Sequence, residues 1–433
     1  MRLRAIMALN AYRYTNVEAG AIVKGYTRDE VRAAFARDEL YRNLFLNLWE
    51  YEHGETVLQS YPYDVSLPIA DICNARCTFC TSWLEGRRML KLAELDAFED
   101  VIRHAAVIGL AGHGEPLVHP ELPAILDRLA AWLDPRAQCY VITNGVHLAR
   151  HRDRLLAARV KSFGISLNAA TAATHDVVMG LGTGAFDEVL ESIRALVALR
   201  DSGRRSIAVT ISMVLTADNI AEVAAFVRLG LALGVDKIQL KTLAGAGGIV
   251  PGLNYELLPP FRHPDYSRHK AEALAAIAAS PVPVTADPTS WDTKVFPEEV
   301  ERRLAAVPPR VISRREALAD PVVRAHYDAQ DKHGAPTRGE FIAAIDDRDG
   351  VDPYGRKPRF ACRAPYHHLY INDFSYNMSP CCYMGRVPGH RPLIYDGSGD
   401  FFNAWNSPAM VSLRARLRDG PLYDMCTKCP EAW

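Results

Sequence analysis

Three cysteines that lie close together in the sequence could hold an iron–sulfur cluster. Cys73, Cys77 and Cys80 have the spacing C-x3-C-x2-C in the segment CNARCTFC, directly after a predicted strand. Three thiolates on one loop can bind three irons of a 4Fe–4S cube and leave the fourth iron open, whereas the usual cluster takes four cysteines. A closed zinc site also needs four ligands, and no fourth Cys or His lies nearby in the sequence.

A second group of cysteines lies toward the C-terminus. Cys362 and the adjacent pair Cys381 and Cys382 are followed by a C-x2-C pair, Cys426 and Cys429. Four of these thiolates could form one complete site. The spacing fits an iron–sulfur cluster and a zinc site about equally, because a distant C-x2-C pair is also common in zinc ribbons.

Composition narrows the class of protein. The chain has 433 residues, of which 49% are hydrophobic, so it can bury a large core. Its 50 Lys plus Arg and 51 Asp plus Glu give a net charge of -1, so we expect no nucleic-acid partner. We recognise no signal peptide and no stretch of ~20 apolar residues, and we expect a cytoplasmic protein without a membrane partner.

Clustered cysteines in such a protein indicate metal sites rather than disulfides. Cys139, in an apolar strand, is expected to be a buried core thiol.

Short apolar strands alternate with amphipathic helices between Tyr63 and about Pro288. This alternation predicts an α/β fold in which crossover helices join the strands of a parallel sheet, and six or seven repeats favour a barrel or partial barrel. The predicted strands are YDVSLPIA, AVIGLAG, CYVITNG, FGISLNA, VTISMVLT, KIQLKTL and PVPVTAD.

Several predicted strands carry a polar face. The residues that share such faces are Ser166 with Asn168, Thr210 with Ser212, and Lys237 with Gln239 and Lys241. They could point into an open barrel that holds a polar ligand, or to solvent at sheet edges. We favour the interior, because the opposite faces are apolar and must be covered by helices.

The chain divides into four predicted parts. Residues 1–62 form a helical N-terminal segment with a cap candidate at Thr27, and residues 63–288 form the barrel. Residues 289–359 are a charged, proline-rich insertion or linker, and residues 360–433 form a small cysteine-rich domain.

The segment CNARCTFC resembles the signature loop of the radical S-adenosylmethionine (SAM) superfamily. The resemblance implies a partial (β/α)6 TIM-like barrel and a 4Fe–4S cluster held by Cys73, Cys77 and Cys80. SAM would bind the open iron, and an electron from the cluster would cleave it to methionine and a 5′-deoxyadenosyl radical. Phe79 would lie against the adenine.

Three further segments are similar to family motifs. Gly114, Glu115 and Pro116 match the segment Gly-Gly-Glu-Pro that contacts the SAM amino group, with His113 where glycine is commoner. The TNG segment that begins with Thr143 and Asn144 is a common family feature. The fourth strand ends in SLNA, where Ser166 and Asn168 are placed like residues that bind the ribose and carboxylate of SAM.

The C-terminal cysteines resemble the auxiliary-cluster domains called SPASM, with two clusters, or twitch, with one. The usual hairpin glycine is absent, and the sequence ends four residues after Cys429. We therefore expect one auxiliary 4Fe–4S cluster, held by Cys362, Cys381, Cys426 and Cys429, with Cys382 as the alternative to Cys381.

These resemblances imply a radical SAM oxidoreductase. The expected substrate is a polar small molecule, such as a sugar or an aminocyclitol, and the auxiliary cluster would accept the electron in a net two-electron oxidation. Lys241 is the candidate catalytic residue, beside Gln239 and Thr210. A flavodoxin or ferredoxin would donate electrons. A peptide-modifying radical SAM enzyme is the alternative, and a non-catalytic zinc-binding scaffold is a more remote one.

Overall fold

The structure is a computed structural model that describes residues 23–80, 88–112, 114–242, 260–286, 291, 362–372, 377–381 and 393–419. The described strands are β1 (Asp64–Ser66), β2 (Val107–Leu110), β3 (Gln138–Thr143), β4 (Val160–Ser166), β5 (Ala208–Val214), β6 (Lys237–Lys241), β7 (Val284–Thr285), β8 (His368–Asn372), β9 (Asn377–Ser379) and β10 (Leu393–Ile394). The described helices are α1 (Arg28–Ala34), α2 (Glu39–Glu52), α3 (Leu92–Asp96), α4 (Glu99–Arg103), α5 (Leu122–Trp132), α6 (Leu148–Ala157), α7 (Ala172–Met179), α8 (Ala185–Asp201), α9 (Val223–Leu233), α10 (Tyr266–Ala278), α11 (Ala364–His367), α12 (Phe401–Trp405) and α13 (Pro408–Asp419).

The strands form one sheet in the order β10-β9-β8-β1-β2-β3-β4-β5-β6-β7. Strands β1 to β7 pair in parallel in sequence order. Because β7 and β10 end the sheet, the barrel is open, and the predicted α/β partial barrel is confirmed. All seven predicted strand segments contain a strand.

Strand β8 continues the sheet on the other side of β1. It pairs with β1 in parallel, and β9 and β10 follow as antiparallel strands. The β8–β9 hairpin was predicted from the sequence before Cys381. The cysteine-rich segment therefore shares a continuous sheet with the barrel, and its boundary at residue 360 stays a prediction.

The two faces of the strands differ in burial as expected. On one face of β5 and β6 the apolar residues are at most 5% exposed and belong to one core cluster with the outer helices; they are Val209, Ile211, Met213, Ile238 and Leu240. Thr210, Gln239 and Lys241 on the opposite face are half-buried. Since helices cover the apolar face, the polar residues line the concave side of the sheet.

The described part of the N-terminal segment contains two helices, α1 and α2. Thr27 caps α1 through a capping box with Glu30, and Asp38 caps α2 by accepting from the backbone N–H of Tyr41. The side chain of Asn47, on α2, donates to the carbonyl of Tyr366 at 2.6 Å. The segment is therefore attached to α11, which directly precedes β8.

A buried arginine joins the same two regions. Arg414, on α13, is 0% exposed, and its guanidinium donates to four oxygens at 2.9–3.1 Å: the carbonyls of Pro365, Thr56 and Trp405 and the side chain of Asn406. Burial lowers the pKa of Arg414 to about 10. All four acceptors are neutral, so this contact depends on complete hydrogen bonding of the guanidinium.

Some predicted features lie outside the described residues. These are His113, Cys382, Cys426, Cys429 and the insertion at 289–359 apart from Trp291. In the described part of the chain, no helix has both the length and the apolar character needed to cross a membrane.

Candidate active site

The three N-terminal cysteines lie on the loop that follows β1, beyond the carboxyl edge of the parallel sheet. Barrel enzymes place their chemistry at this edge. The three cysteines form no disulfide with another described cysteine, and all three are half-buried. They are close enough for the charge on one to influence the ionisation of another. The loop thus brings three potential ligands into one neighbourhood.

The carboxyl end of α7 holds this loop in place. The backbone N–H groups of Arg76 and Thr78 donate to the carbonyls of Met179 and Val178 at 2.9 and 3.0 Å. Gly180 then ends the helix with φ of 58°, and a Cβ at this position would lie 3.0 Å from Arg76. Glycine therefore suits both the left-handed conformation and the close approach of the loop.

Met179 also connects the loop to the ends of β4 and β5. The thiol of Cys77 lies 3.5 Å from the Met179 thioether, and the side chain of Asn168 donates to the same sulfur at 3.0 Å. Asn168 accepts from the backbone N–H of Val214 at 2.7 Å and has φ of 58°. Its described contacts are within the fold, and its role toward SAM stays a prediction.

The segment that begins with Gly114 lies against the start of the cysteine loop. The backbone N–H of Gly114 donates to the carbonyl of Ala70 at 3.1 Å, and that of Glu115 donates to the carbonyl of Ile72 at 2.9 Å. A Cβ on Gly114 would lie 2.4 Å from the backbone of Ala70 and Asp71. Glycine is required here because two backbones touch.

Glu115 joins the ends of β2 and β3. Its buried carboxylate accepts from the Thr143 hydroxyl and the Asn144 backbone N–H, both at 2.7 Å, and from the Leu117 backbone N–H at 3.0 Å. Burial raises the pKa of Glu115 to about 7, against the lowering effect of these donors. The carboxylate is therefore satisfied within the fold and fixes the predicted TNG segment. Pro116 is buried and begins a short 3-10 turn.

Asn144 contacts the cysteine loop directly. Its side chain donates to Asn74 at 2.7 Å and hydrogen-bonds the Cys73 thiol. Burial raises the pKa of Cys73 to about 11 and that of Cys77 well above its usual value. Both thiols are therefore protonated at neutral pH without a metal, and a bound metal would deprotonate them.

Within the described ranges, no three His, Cys, Asp or Glu side chains converge on a position for one metal ion. The role of Cys73, Cys77 and Cys80 as ligands of a cluster stays a prediction.

The other predicted site residues lie around the same edge. Phe79 is half-buried within the cysteine loop, and Ser166 is half-buried at the end of β4, in register with Ser212. Lys241 ends β6, and burial lowers its pKa. Their roles stay predictions. Cys139 is 0% exposed in β3, as expected for a core thiol.

The described C-terminal cysteines lie toward the opposite edge of the sheet. Cys362 precedes β8, which begins beside Asp64 at the start of β1. Strand β9 runs back antiparallel to β8, so Cys381 returns to the same amino edge. The concave interior of the barrel therefore lies between these two cysteines and the loop of Cys73.

Sequence reasoning missed helix α7. No helix was predicted at residues 172–179, although a Thr171 cap and Gly180 after the last turn mark its two ends. Consequently Met179 was not among the predicted site residues. The role of Asn144 toward Asn74 was also not predicted.

Comparisons with known proteins support the family resemblance. Residues 67–230 match the family model described as the Radical SAM superfamily. "GTP 3′,8-cyclase 1" of Mycobacterium tuberculosis (strain CDC 1551 / Oshkosh) is 31% identical over 145 residues, which cover 31% of this chain and 40% of the relative. "GTP 3′,8-cyclase 1" of Pseudomonas aeruginosa is 30% identical over 177 residues, which cover 39% of this chain and 51% of the relative. The chain thus spans about half or less of these relatives.

A solved structure shows the same fold over a longer range. The crystal structure of Streptococcus suis SuiB bound to S-adenosylmethionine aligns with 95% of this chain and 83% of its own, at a TM-score of 0.51 and 14% identity. At this identity, the similarity describes the fold alone.

Proposed function

Proceeding from the radical SAM domain at residues 67–230, we propose that the protein reductively cleaves SAM and abstracts a hydrogen atom from a polar small molecule. A sugar or an aminocyclitol is the proposed substrate class. One auxiliary 4Fe–4S cluster would assist a net oxidation. The attachment of the cysteine loop to Gly114, Glu115 and Met179 is the observation that carries the proposal.

Cys73, Cys77 and Cys80 would hold the first cluster. A cluster held by these residues would supply the electron for reductive cleavage of SAM. The protein's contribution is to fix the loop before the cofactor arrives. Backbone hydrogen bonds attach it on one side to the segment of Gly114 and on the other to α7, so the thiols need little reorganisation to bind iron.

The proposed SAM site lies between the cysteine loop and the ends of the next strands. Gly114 allows its backbone to approach the loop closely. Glu115 holds Thr143 and Asn144 in place, and the Asn144 side chain reaches the loop at Asn74. Phe79, Ser166 and Asn168 would complete the site.

The concave face of the sheet supports a polar substrate. Thr210, Gln239 and Lys241 are half-buried on this face, and burial lowers the pKa of Lys241. A lysine with a lowered pKa can accept a proton more readily near neutral pH. Lys241 is therefore the proposed catalytic or anchoring residue for the substrate.

The proposed auxiliary cluster would bind Cys362, Cys381, Cys426 and Cys429, with Cys382 as the alternative to Cys381. The positions of Cys362 and Cys381 at the amino edge support it, because a substrate in the barrel would lie between the two cysteine groups. An electron acceptor there could take the electron that the substrate radical loses. A zinc ion at this site would remove that acceptor.

Two other candidate substrates should be tested in the same assay. GTP is a candidate because both curated relatives named above are GTP 3′,8-cyclases. A peptide was the alternative expected from the sequence, and a groove between the N-terminal segment and the C-terminal domain would favour it. In the described residues, these regions are instead joined by direct contacts such as Leu58 with Asn406 at 2.7–2.8 Å.

The test is a count of iron and sulfide in protein purified without oxygen, beside a C73A/C77A/C80A variant. Wild type should hold about eight irons per chain and the variant about four. With dithionite and SAM, only wild type should form 5′-deoxyadenosine. A polyol panel, GTP and a peptide library then identify the substrate class by increased SAM turnover.

The outcomes separate the parts of the proposal. A variant that loses all iron and retains zinc shows a zinc site at the C-terminus and contradicts the auxiliary cluster. A wild-type protein without iron–sulfur clusters contradicts the whole proposal. Turnover stimulated by GTP or a peptide, and by no polyol, contradicts the proposed substrate class.

A further inference from the structure

Three polar side chains line the concave face of the neighbouring strands β5 and β6. Gln239 and Lys241 alternate on β6 with the core residues Ile238 and Leu240, and Thr210 alternates with core residues on β5. In the register of the two strands, Thr210 lies toward the amino edge and Lys241 lies at the carboxyl edge. We call Thr210, Gln239 and Lys241 the β5–β6 wall.

The β5–β6 wall differs from neighbouring parts of the site in its hydrogen bonding. Glu115 and Asn168 use their side chains for contacts within the fold. Among the described residues, by contrast, the side chains of the β5–β6 wall make no hydrogen bond, and all three are half-buried. Polar groups in buried positions normally have partners, so these side chains are available to a ligand.

Lys241 gives the wall a positive charge. Burial lowers the pKa of its ammonium group, and no neighbouring carboxylate opposes this effect. Neither Asp218, in the loop after β5, nor any other described carboxylate forms an ion pair with Lys241. A half-buried ammonium group without a counter-charge is stabilised when an anion binds beside it.

The surrounding strands leave room for an anion and supply no competing charge. Strands β4, β5 and β6 contain no acidic residue, and the buried carboxyl of Asp64 lies on β1, beyond β2 and β3. Gly164 is in register with Thr210, and a Cβ on this glycine would lie 3.5 Å or more from its neighbours. The surface beside the wall is therefore open.

We propose that the β5–β6 wall binds a substrate that carries a carboxylate or phosphate group, with Lys241 as the counter-ion of that group. Gln239 and Thr210 bind hydroxyl groups of the same molecule, farther from the carboxyl edge. This inference rests on the proposed substrate site in the barrel and names the charge of its occupant. The substrate is then an acidic sugar rather than an aminocyclitol, because Lys241 repels a substrate ammonium group.

The first test measures the binding of inorganic phosphate to the full chain, isolated anaerobically with its clusters. In ¹³C NMR of labelled lysines at constant ionic strength, phosphate should shift the signal of Lys241, which K241Q assigns. Calorimetry should show at least tenfold weaker phosphate binding in K241Q, because a charge-assisted hydrogen bond is lost. K241R keeps the charge and should retain most of the affinity.

The matched control is K237Q. Lys237 lies on the same face of β6, four residues and about 13 Å from Lys241. K237Q removes the same charge at the amino edge and should bind phosphate as wild type does. A Lys241 signal that phosphate does not shift, or equal losses of affinity in K237Q and K241Q, overturns the inference.

SAM also carries a carboxylate, so the second test separates the two sources of the anion. Equilibrium binding of SAM is compared in wild type and K241Q. The expected loss of SAM affinity is much smaller than the loss of phosphate affinity. If the two losses are equal, Lys241 binds the carboxylate of SAM, and its assignment to the substrate is overturned.

The third test uses four sugars of different charge in the presence of dithionite and SAM. Glucuronate and glucose 6-phosphate should raise the rate of 5′-deoxyadenosine formation at least tenfold above the rates with glucose and glucosamine. A preference for glucose or glucosamine, or no response to either acid, overturns the inference and leaves the proposed cleavage of SAM intact. Wild-type protein that forms no 5′-deoxyadenosine contradicts the proposed function instead, and phosphate binding then decides whether the wall is an anion site.

Discussion

The thiol of Cys77 lies 3.5 Å from the thioether sulfur of Met179, which is 1% exposed at the end of α7. The backbone of the same methionine accepts from Arg76 in the cysteine loop. Side chain and backbone of one residue thus support the loop that carries three potential cluster ligands. The neighbouring helix is therefore part of the site, although it offers no ligand of its own.

Two substitutions of Met179 should distinguish the contribution of its buried side-chain volume from that of its sulfur contacts. M179A removes a buried side chain and should lower the free energy of unfolding by about 2–5 kcal/mol. M179L keeps the volume and should cost less than about 1.5 kcal/mol. Denaturant unfolding checks the stability, and the rate of iron loss to a chelator checks the loop. Equal iron loss from M179A and wild type would show that α7 does not support the cluster loop.

Gly114 should not tolerate a methyl group. In G114A the new Cβ would meet backbone atoms of Ala70 and Asp71 at 2.4 Å, and backbone cannot move aside as a flexible side chain can. We expect G114A to lose most of the iron bound at the N-terminal site. In G164A the Cβ would meet its neighbours at 3.5 Å or more, so this control should keep its iron. Iron analysis after anaerobic purification decides between the two outcomes.

Asp64 should make stability depend on pH. Burial raises the pKa of its carboxyl from 3.8 to about 7 in the folded state. The folded state therefore binds this proton more tightly than the unfolded state does. The stabilisation contributed by the protonated Asp64 carboxyl is complete below pH 3.8 and is lost as the pH rises through about 7. D64N removes this dependence, so its unfolding free energy relative to wild type should increase by about 2–3 kcal/mol between pH 5 and pH 8.

The measurement for Asp64 is denaturant unfolding of both proteins at a series of pH values. Only the difference between them is interpreted, because other carboxyl groups titrate in both. Parallel curves for wild type and D64N across this range would mean that the Asp64 carboxyl is already ionised in the folded protein.

Arg414 should contribute strongly to stability. R414M removes the donor of three carbonyls and one of the two donors of the Asn406 amide oxygen, and we expect a loss of about 3 kcal/mol or more. Arg418, on the same helix, is exposed and donates to the carbonyl of Gly54, so R418M should change stability by about 0.5 kcal/mol or less. Thermal unfolding and limited proteolysis near residue 56 compare the two variants. If R414M is as stable as R418M, the hydrogen bonds of the buried Arg414 guanidinium do not contribute to stability as expected.

Cys139 should be irrelevant to iron binding. Its thiol is 0% exposed among apolar neighbours, and burial raises its pKa to about 12, so it is not available as a thiolate. C139A should keep the wild-type iron content and lose about 1 kcal/mol of stability. A reduced iron count in C139A would mean that the cysteine assignments need revision.

The sequence predicts the strands of this barrel well because the signal is local. Apolar runs such as those containing Val141 and Ile211 are short and bounded by helices. The spacing of their apolar residues and the length of the run therefore both indicate a strand. Helix α7 was missed because its eight residues show little apolar periodicity. Its ends were marked only by Thr171 and Gly180, which are also common in turns.

The interior contacts of the site could not be predicted in the same way. Ser66 and His368 lie 302 positions apart in the sequence, and only the pairing of β1 with β8 brings them together. Asn168 was predicted from the resemblance of the SLNA segment to the family, but its hydrogen bonds to Met179 and Val214 depend on how α7 and β5 pack. Such contacts depend on tertiary packing, which neither propensity nor spacing encodes.

The pairing of β1 with β8 also has a consequence for how the protein is made. During synthesis, β1 leaves the ribosome early, whereas its neighbour β8 follows some 300 residues later. Until then, β1 is an edge strand, and edge strands are exposed to wrong pairing with other chains. Contacts this distant in sequence also form slowly. The strand that leads into the cysteine loop is therefore paired on both sides only after the C-terminal segment has been made.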